Sequence, residues 1–246
     1  AEFFGDARIN FAENLLADAD EQLAITAHGE DGRITHLTRA ELKQQVQELA
    51  GWLKDHGVTA GDRVAAYAPN SVEAVITMLA TASLGAVFSS CSPDFGLQGV
   101  CDRFGQIEPK ILVGCDGYHY AGKAIDRMDV LAALAQRLPT VNTVLVIGYL
   151  SAQPDCSRLP NAMLFDQAVA NATAITQFRR MPFNAPLYIL YSSGTTGAPK
   201  CIVHGIGGTL IQHIKEHRLH TNVKPGDRFF YFTTCGWMMW NWLVSG

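Results

Sequence analysis

A chain of 246 residues, 48% of them hydrophobic and 17% charged, can build the packed core of one large domain or two small ones, which excludes a disordered chain. Nineteen lysines and arginines against 23 aspartates and glutamates leave a net charge of −4 with no cationic face, so nucleic acid is not an expected partner. No apolar run approaches the ~20 residues needed to cross a bilayer, so no membrane span is expected either.

The opening residues Ala1-Glu2-Phe3-Phe4-Gly5-Asp6 lack a charged leader followed by an apolar stretch, so no secretory signal is expected. The six cysteines form no C-x-x-C pair; a disulfide framework or zinc ribbon is therefore not expected, and a reducing cytoplasm is. Thr38-Arg39-Ala40-Glu41 reads as a capping box, in which the Thr38 hydroxyl and the Glu41 carboxylate meet free N–H groups at a helix start. Leu42, Val46, Leu49 and Leu53 follow at helical spacing, and Gly57 ends the helix. Arg63 to Tyr67 reads as a strand, and Asn70 or Ser71 caps a second helix that closes near Gly85. Ala86 to Ser89 and Ile111 to Val113 read as strands, residues 124 to 138 as a helix, and Val144 to Ile147 as a strand. Prolines 154, 160, 182 and 186 mark residues 151 to 186 as an irregular surface connection. Strands follow at Leu187 to Tyr191 and Cys201 to His204, then a helix from Gly207 to His220 and a strand from Phe229 to Phe232. Strands rich in Val, Ile and Leu, separated by long helices, predict an α/β fold: mainly parallel sheets with helices on both faces. The closing run Trp240-Asn241-Trp242-Leu243-Val244 is apolar and aromatic, so the chain is expected to be the leading portion of a longer protein, cut inside a domain at Gly246.

The segment with the clearest chemistry is Tyr191-Ser192-Ser193-Gly194-Thr195-Thr196-Gly197-Ala198-Pro199-Lys200, directly after an apolar strand. Its glycines permit close backbone approach, and its hydroxyls and free N–H groups donate to phosphate oxygens. Lys200 can add a cation to the phosphates or pair with structural groups. It is not a Walker A loop, because Pro199 precedes the lysine and Cys201 follows it. A competing pattern is His213-Ile214-Lys215-Glu216-His217, which fits the H-x-x-E-H zinc metallopeptidase motif. No third ligand in a recognisable context follows it, and polar histidines on the solvated face of a helix behind the loop are the expected explanation.

The 191–200 segment resembles the phosphate-binding loop of the adenylate-forming superfamily, which includes acyl-CoA synthetases, luciferases and nonribosomal peptide adenylation domains. Gly61-Asp62-Arg63-Val64 through Ala86-Val87-Phe88-Ser89 is similar to an early structural motif of that family, and Asn10-Phe11-Ala12-Glu13-Asn14-Leu15 resembles the leader of its acetyl- and acetoacetyl-CoA synthetase branch. Phe232-Thr233-Thr234-Cys235-Gly236-Trp237-Met238-Met239-Trp240-Asn241 is similar to the acetoacetate–CoA ligases; in acetyl-CoA synthetases different, smaller residues follow the matching tryptophan.

The resemblance implies that residues 1–35 are a leader and 36–246 the leading portion of an AMP-binding adenylation domain. It implies an acid–thiol ligase in which a short carboxylate, acetoacetate first, attacks the α-phosphate of ATP, and CoA then displaces AMP. ATP, magnesium carried on its phosphates, and CoA are the implied cofactors and co-substrates. Ser192, Ser193, Gly194, Thr195, Thr196, Gly197 and Lys200 would bind the phosphates. Trp237 would wall the acyl pocket and shorten it, with Met238, Met239 and Asn241 beside it; Asn241 or the Trp240 indole N–H would bond a β-keto oxygen. For CoA, an ungapped comparison sets Pro93 and Asp94 where that branch has glycines, and Tyr120 and Lys123 near its basic pair, of which only Lys123 keeps the charge. The catalytic lysine and the hinge would lie beyond Gly246. The alternatives are an acetyl- or propionyl-CoA synthetase, and a nucleotide-binding piece without turnover of its own. Nothing in the sequence specifies an oligomeric state.

Overall fold

The computed structural model describes residues 3–192 and 197–246. A two-residue strand β1 (Arg8–Ile9) leads to α1 (Phe11–Leu15), and a hairpin of β2 (Leu23–His28) and β3 (Ile34–Thr38) leads to α2 (Arg39–Asp55). Alternation of strand and helix then begins: β4 (Arg63–Tyr67), α3 (Val72–Ser83), β5 (Val87–Cys91), α4 (Leu97–Ile107) and β6 (Ile111–Cys115). A second hairpin, β7 (Gly117–Tyr120) and β8 (Lys123–Asp126), precedes α5 (Met128–Arg137) and β9 (Thr143–Ile147). The chain continues through β10 (Ala162–Leu164), α6 (Phe165–Ala170), β11 (Met181–Pro182), β12 (Pro186–Tyr191) and β13 (Cys201–Gly205). It closes with α7 (Ile206–Lys215), extended by a π-helical turn Glu216–His220, and α8 (Met238–Leu243).

Seven strands form the main sheet in the order β10-β9-β6-β4-β5-β12-β13, parallel except for the antiparallel pair β12–β13 at one edge. The apolar runs are buried on both faces because successive side chains point to opposite sides of a strand. Val64, Ala66, Ile111, Val113, Phe88 and Tyr188 pack into a core with α1, α2, α3 and α7. Their alternates Ala65, Tyr67, Leu112, Val87 and Ile189 pack against α4 and α5. This is the expected α/β architecture with helices on both faces. Strand order reverses at β4: the chain passes to β5 on one side, then crosses to β6 on the other. Such a reversal opens a crevice at the carboxyl ends of the strands, where open α/β sheets bind ligands.

Local signals act as read. Thr38 and Glu41 form the reciprocal capping box of α2, and Ser71 caps α3. Gly57 and Gly85 turn the chain after α2 and α3 at φ of 78° and 69°, a conformation that favours glycine.

Several expectations are corrected. Lys123–Asp126 is strand β8 rather than the start of α5, because Ala121 and Gly122 at positive φ form a tight turn that pairs it with β7, and Asp126 then accepts from the Met128 N–H. Helix α4 goes unread in the sequence although Val100, Phe104 and Ile107 recur at helical spacing and are buried. The 151–186 connection is not wholly irregular: it contains β10 and α6, which bury Phe165, Ala168 and Val169. Phe229 to Phe232 forms no strand, and Phe230 and Phe232 stand exposed. No helix is long and apolar enough to cross a membrane.

Candidate functional site

Strand β5 supplies two serines that tie distant segments to one edge of the sheet. Ser89 donates to the Ile189 carbonyl at 2.9 Å and lies 3.0 Å from the Tyr191 hydroxyl, which sets the end of β12. Ser90 donates to the Cys235 carbonyl, and the Cys235 thiol donates to the Ala68 carbonyl at 2.8 Å, just past β4. The strand that launches the 191–200 loop and the turn that carries Trp237 are thus fastened side by side at the carboxyl ends of β4, β5 and β12. Burial pushes the Tyr191 phenol and the Cys235 thiol far above their ordinary ranges, so both stay neutral hydrogen-bonding groups.

Of the expected phosphate-binding residues, Ser193, Gly194, Thr195 and Thr196 lie outside the described residues. The loop closes on itself: the Ser192 N–H donates to the Lys200 carbonyl at 3.0 Å, and the Lys200 N–H lies 3.4 Å from Ser192 Oγ. Gly197 and Lys200 are exposed and Ser192 is half-buried. Helix α4 braces the returning leg, where Gln106 Nε2 donates to the Pro199 carbonyl at 2.8 Å. From the same helix the Arg103 guanidinium covers the Phe95 ring at 4.5 Å and approaches Tyr191. Sequence reasoning missed Arg103 and Gln106 because it missed α4; the 3–4 spacing of Val100, Phe104 and Ile107 was the available signal.

The Trp237 motif divides between surface and core. Trp237 and Met238 are 60% and 52% exposed, Met239 is half-buried, and Trp240 and Asn241 are fully buried. Trp237 occupies the N-cap of α8. The Trp240 ring stacks near Phe88 at 6.2 Å, and its indole N–H donates to Asn70 Oδ1 at 2.8 Å. That bond removes Trp240 as a free donor and leaves Asn241, neither of whose amide atoms has a hydrogen-bond partner among the described residues.

A second cluster forms at the turn after β5. The Tyr67 hydroxyl and Arg127 Nε both donate to the Pro93 carbonyl at 2.8 Å, and Arg127 also covers the Tyr118 ring at 5.3 Å. Arg127, not singled out in the sequence, is therefore the cation set against this turn. Lys123 stands exposed at the tip of the β7–β8 hairpin, three residues or about 10 Å of strand before Asp126.

The H-x-x-E-H pattern is neither a described metal cluster nor a solvated face. His213 and His217 are buried, and no group of three metal-ligating side chains occurs among the described residues. Ser245 donates to the Trp242 carbonyl at 2.8 Å, so the imidazoles act as donors: His213 Nδ1 to Ser245 Oγ at 2.8 Å, and His217 Nε2 to the Trp242 carbonyl at 3.0 Å. His217 also stacks on Trp242 at 4.8 Å, while Glu216 turns away to Lys215. Burial lowers His213 to about 4 and lowers His217 as well, so both are neutral near pH 7. The two histidines clamp α7 to the end of α8.

A family model described as AMP-binding enzyme matches residues 15–246. The chain is 51% identical over 246 residues to acetoacetyl-coenzyme A synthetase of Rhizobium meliloti (strain 1021), covering 100% of this chain and 38% of that protein. It is 42% identical over 257 residues to malonamoyl-CoA synthetase vrtB of Penicillium aethiopicum, covering 99% of this chain and 36% of that one. The solved acetoacetyl-CoA synthetase from Streptomyces lividans superposes with a TM-score of 0.91 at 44% identity, over 97% of this chain and 37% of that chain. The chain thus spans little more than a third of the length of the relatives it matches.

Proposed function

We propose that this chain, which belongs to the AMP-binding enzyme family, forms the leading part of an ATP-dependent acid–thiol ligase whose preferred acid is acetoacetate. Residues 36–246 would be the first portion of its adenylation domain, with 1–35 as a leader. The observation that carries the reading is the fastening of the 191–200 loop and the Trp237 turn to one sheet edge through Ser89 and Ser90. A reaction joining a carboxylate to a nucleotide needs the two binding elements adjacent, because holding reactants in register removes most of the entropy cost of their encounter.

In the first step a carboxylate oxygen attacks the α-phosphorus of ATP, the bond to the β-phosphate bridging oxygen breaks, and pyrophosphate leaves. In the second the CoA sulfur attacks the acyl carbon, AMP leaves, and the thiol proton passes to the medium. Ser192, Ser193, Gly194, Thr195, Thr196, Gly197 and Lys200 would hold the phosphates with hydroxyl, N–H and ammonium donors. Magnesium would arrive on those phosphates as part of the nucleotide substrate. Trp237, Met238, Met239 and Asn241 would wall the acyl group, and the Pro93 turn with Arg127 against it, together with Lys123 at the hairpin tip, would meet CoA. All six cysteines are free thiols, in keeping with a cytoplasmic protein.

A second acid, malonamate, is favoured by the 42% identity to a malonamoyl-CoA synthetase. The test is ATP–pyrophosphate exchange by the complete protein with acetate, propionate, butyrate, acetoacetate and malonamate. The expected result is the highest kcat/KM with acetoacetate; absence of exchange with all five overturns the reading.

A further inference from the structure

Val100, Phe104 and Ile107 bury one face of α4 in the core, so packing sets the position of the helix. Gly99, Arg103 and Gln106 recur at helical spacing on a neighbouring stripe. Gln106 donates to the Pro199 carbonyl at 2.8 Å on the returning leg of the 191–200 loop. On the outgoing leg, the Arg103 guanidinium lies 5.8 Å from the Tyr191 ring.

Arg103 also lies 4.5 Å over the Phe95 ring, so one cation serves two aromatic faces. Phe95 belongs to the Pro93 turn: its N–H donates to the Ser92 carbonyl at 3.1 Å, and the Tyr67 hydroxyl lies 3.2 Å from the Phe95 carbonyl. Glycines flank the pair. A β-carbon at Gly99 would touch Arg103 Nη1 at 3.6 Å and Phe95 Cδ1 at 3.7 Å, and one at Gly236 would touch Phe95 Cε2 at 3.4 Å. The residue before Trp237 is therefore packed on the ring that Arg103 covers. Arg103 is half-buried, makes no ion pair among the described residues, and donates Nη1 to the Gly99 carbonyl of its own helix. Its charge neutralises no carboxylate among those residues; what it holds is the two rings.

We infer that Arg103, stacked on Phe95 and reaching Tyr191, is a positioning residue that ties the phosphate loop to the Pro93 turn and, through Phe95, to the Trp237 turn. The inference rests on the ligase reading above and adds to it a coupling between its sites. A planar guanidinium can lie against one ring and still approach another, which a compact ammonium does less well. A ligand that shifts Phe95 from the Pro93 turn changes where the cation sits against Tyr191, and with it the entry of the phosphate loop. By linkage, a nucleotide on the loop biases the turn to the same extent.

The experiment measures two constants on the complete protein: the KM for ATP in pyrophosphate exchange with acetoacetate, and the KM for CoA in thioester formation. Arg103→Met keeps the length of the side chain and removes the charge. Both KM values should rise about threefold, with KM moving more than kcat and the folded fraction unchanged. Phe95→Leu should act in the same direction. The double variant should show less than the product of the two single effects, because each removes the same contact. A rise in the ATP constant alone makes Arg103 a local brace and overturns the inference. Single effects that multiply in the double variant overturn it as well, and so does a lower folded fraction with both KM values unchanged. Should Arg103→Met fail to fold, Arg103→Lys, which keeps the charge and loses the planar face, takes its place; unchanged KM values in that variant overturn the inference and leave the ligase reading standing. Absence of exchange by the native protein with every acid overturns both.

Discussion

Trp240 donates its indole N–H to Asn70 Oδ1 at 2.8 Å, joining α8 to the residue that precedes the cap of α3. The bond anchors the buried side of α8 against the main core and leaves Trp237, at its N-cap, facing outward. One tryptophan of the motif is structural and another is free to meet a ligand, a division that follows from where each lies on the helix.

Trp237→Gly tests the free one. The side chain is 60% exposed and glycine is well tolerated at an N-cap, so the complete protein should lose no more than about 1 kcal/mol of stability. Preference should shift toward longer acids, read as kcat/KM for six- and eight-carbon carboxylates relative to acetoacetate. An unchanged chain-length profile in a stably folded variant counts against the pocket role.

Gln106→Ala tests the brace on the loop. Removing the bond to the Pro199 carbonyl takes away one neutral hydrogen bond, worth ~1 kcal/mol. The KM for ATP should rise about fivefold, while the thermal midpoint moves little because Gln106 is exposed. A shift in the KM for the acid with none for ATP would assign α4 a different task.

Asn10→Ala tests the fastening of the N-terminal segment. Its Nδ2 donates to the Ala82 and Arg179 carbonyls, each at 2.8 Å, and its Oδ1 accepts from the Glu13 N–H at 3.0 Å. Truncation leaves buried backbone groups unpaired, so a loss of about 2–4 kcal/mol is expected in urea unfolding. A loss below about 1 kcal/mol would mean that water replaces the amide.

The buried histidine pair predicts an acid-sensitive fold. His213 is lowered to about 4 by burial first and by the neighbouring His217 second, against an ordinary value of 6.5. Between those values the unfolded chain binds the proton that the folded chain refuses. The contribution is therefore intact above pH 6.5 and is lost as pH falls through 4, by ~3 kcal/mol for the shift as a whole. Urea unfolding of the complete protein at pH 7.5, 5.5 and 4.5 should show a steeper decline for the native sequence than for His213→Gln; parallel declines would contradict it.

Sequence alone determined the alternating architecture, the capping box at Thr38 and Glu41, the helix ends at Gly57 and Gly85, and the loop and Trp237 motif as candidate binding elements. Each depends on residues a few positions apart, where backbone geometry acts without knowledge of the rest of the chain. Missing α4 therefore reflects a legible pattern left unread, since its apolar spacing was equally local. What only the tertiary structure decided involves partners far apart in the chain. Ser90 finds the Cys235 carbonyl and Trp240 finds Asn70, while Arg127 rather than Lys123 meets the Pro93 turn, and His213 and His217 bond to the end of α8 instead of facing solvent or a metal. Whether a buried polar side chain is satisfied depends on which remote group the folded chain delivers to it, and no local spacing records that; this is why Asn241, one residue from Trp240, differs from it in having no partner among the described residues.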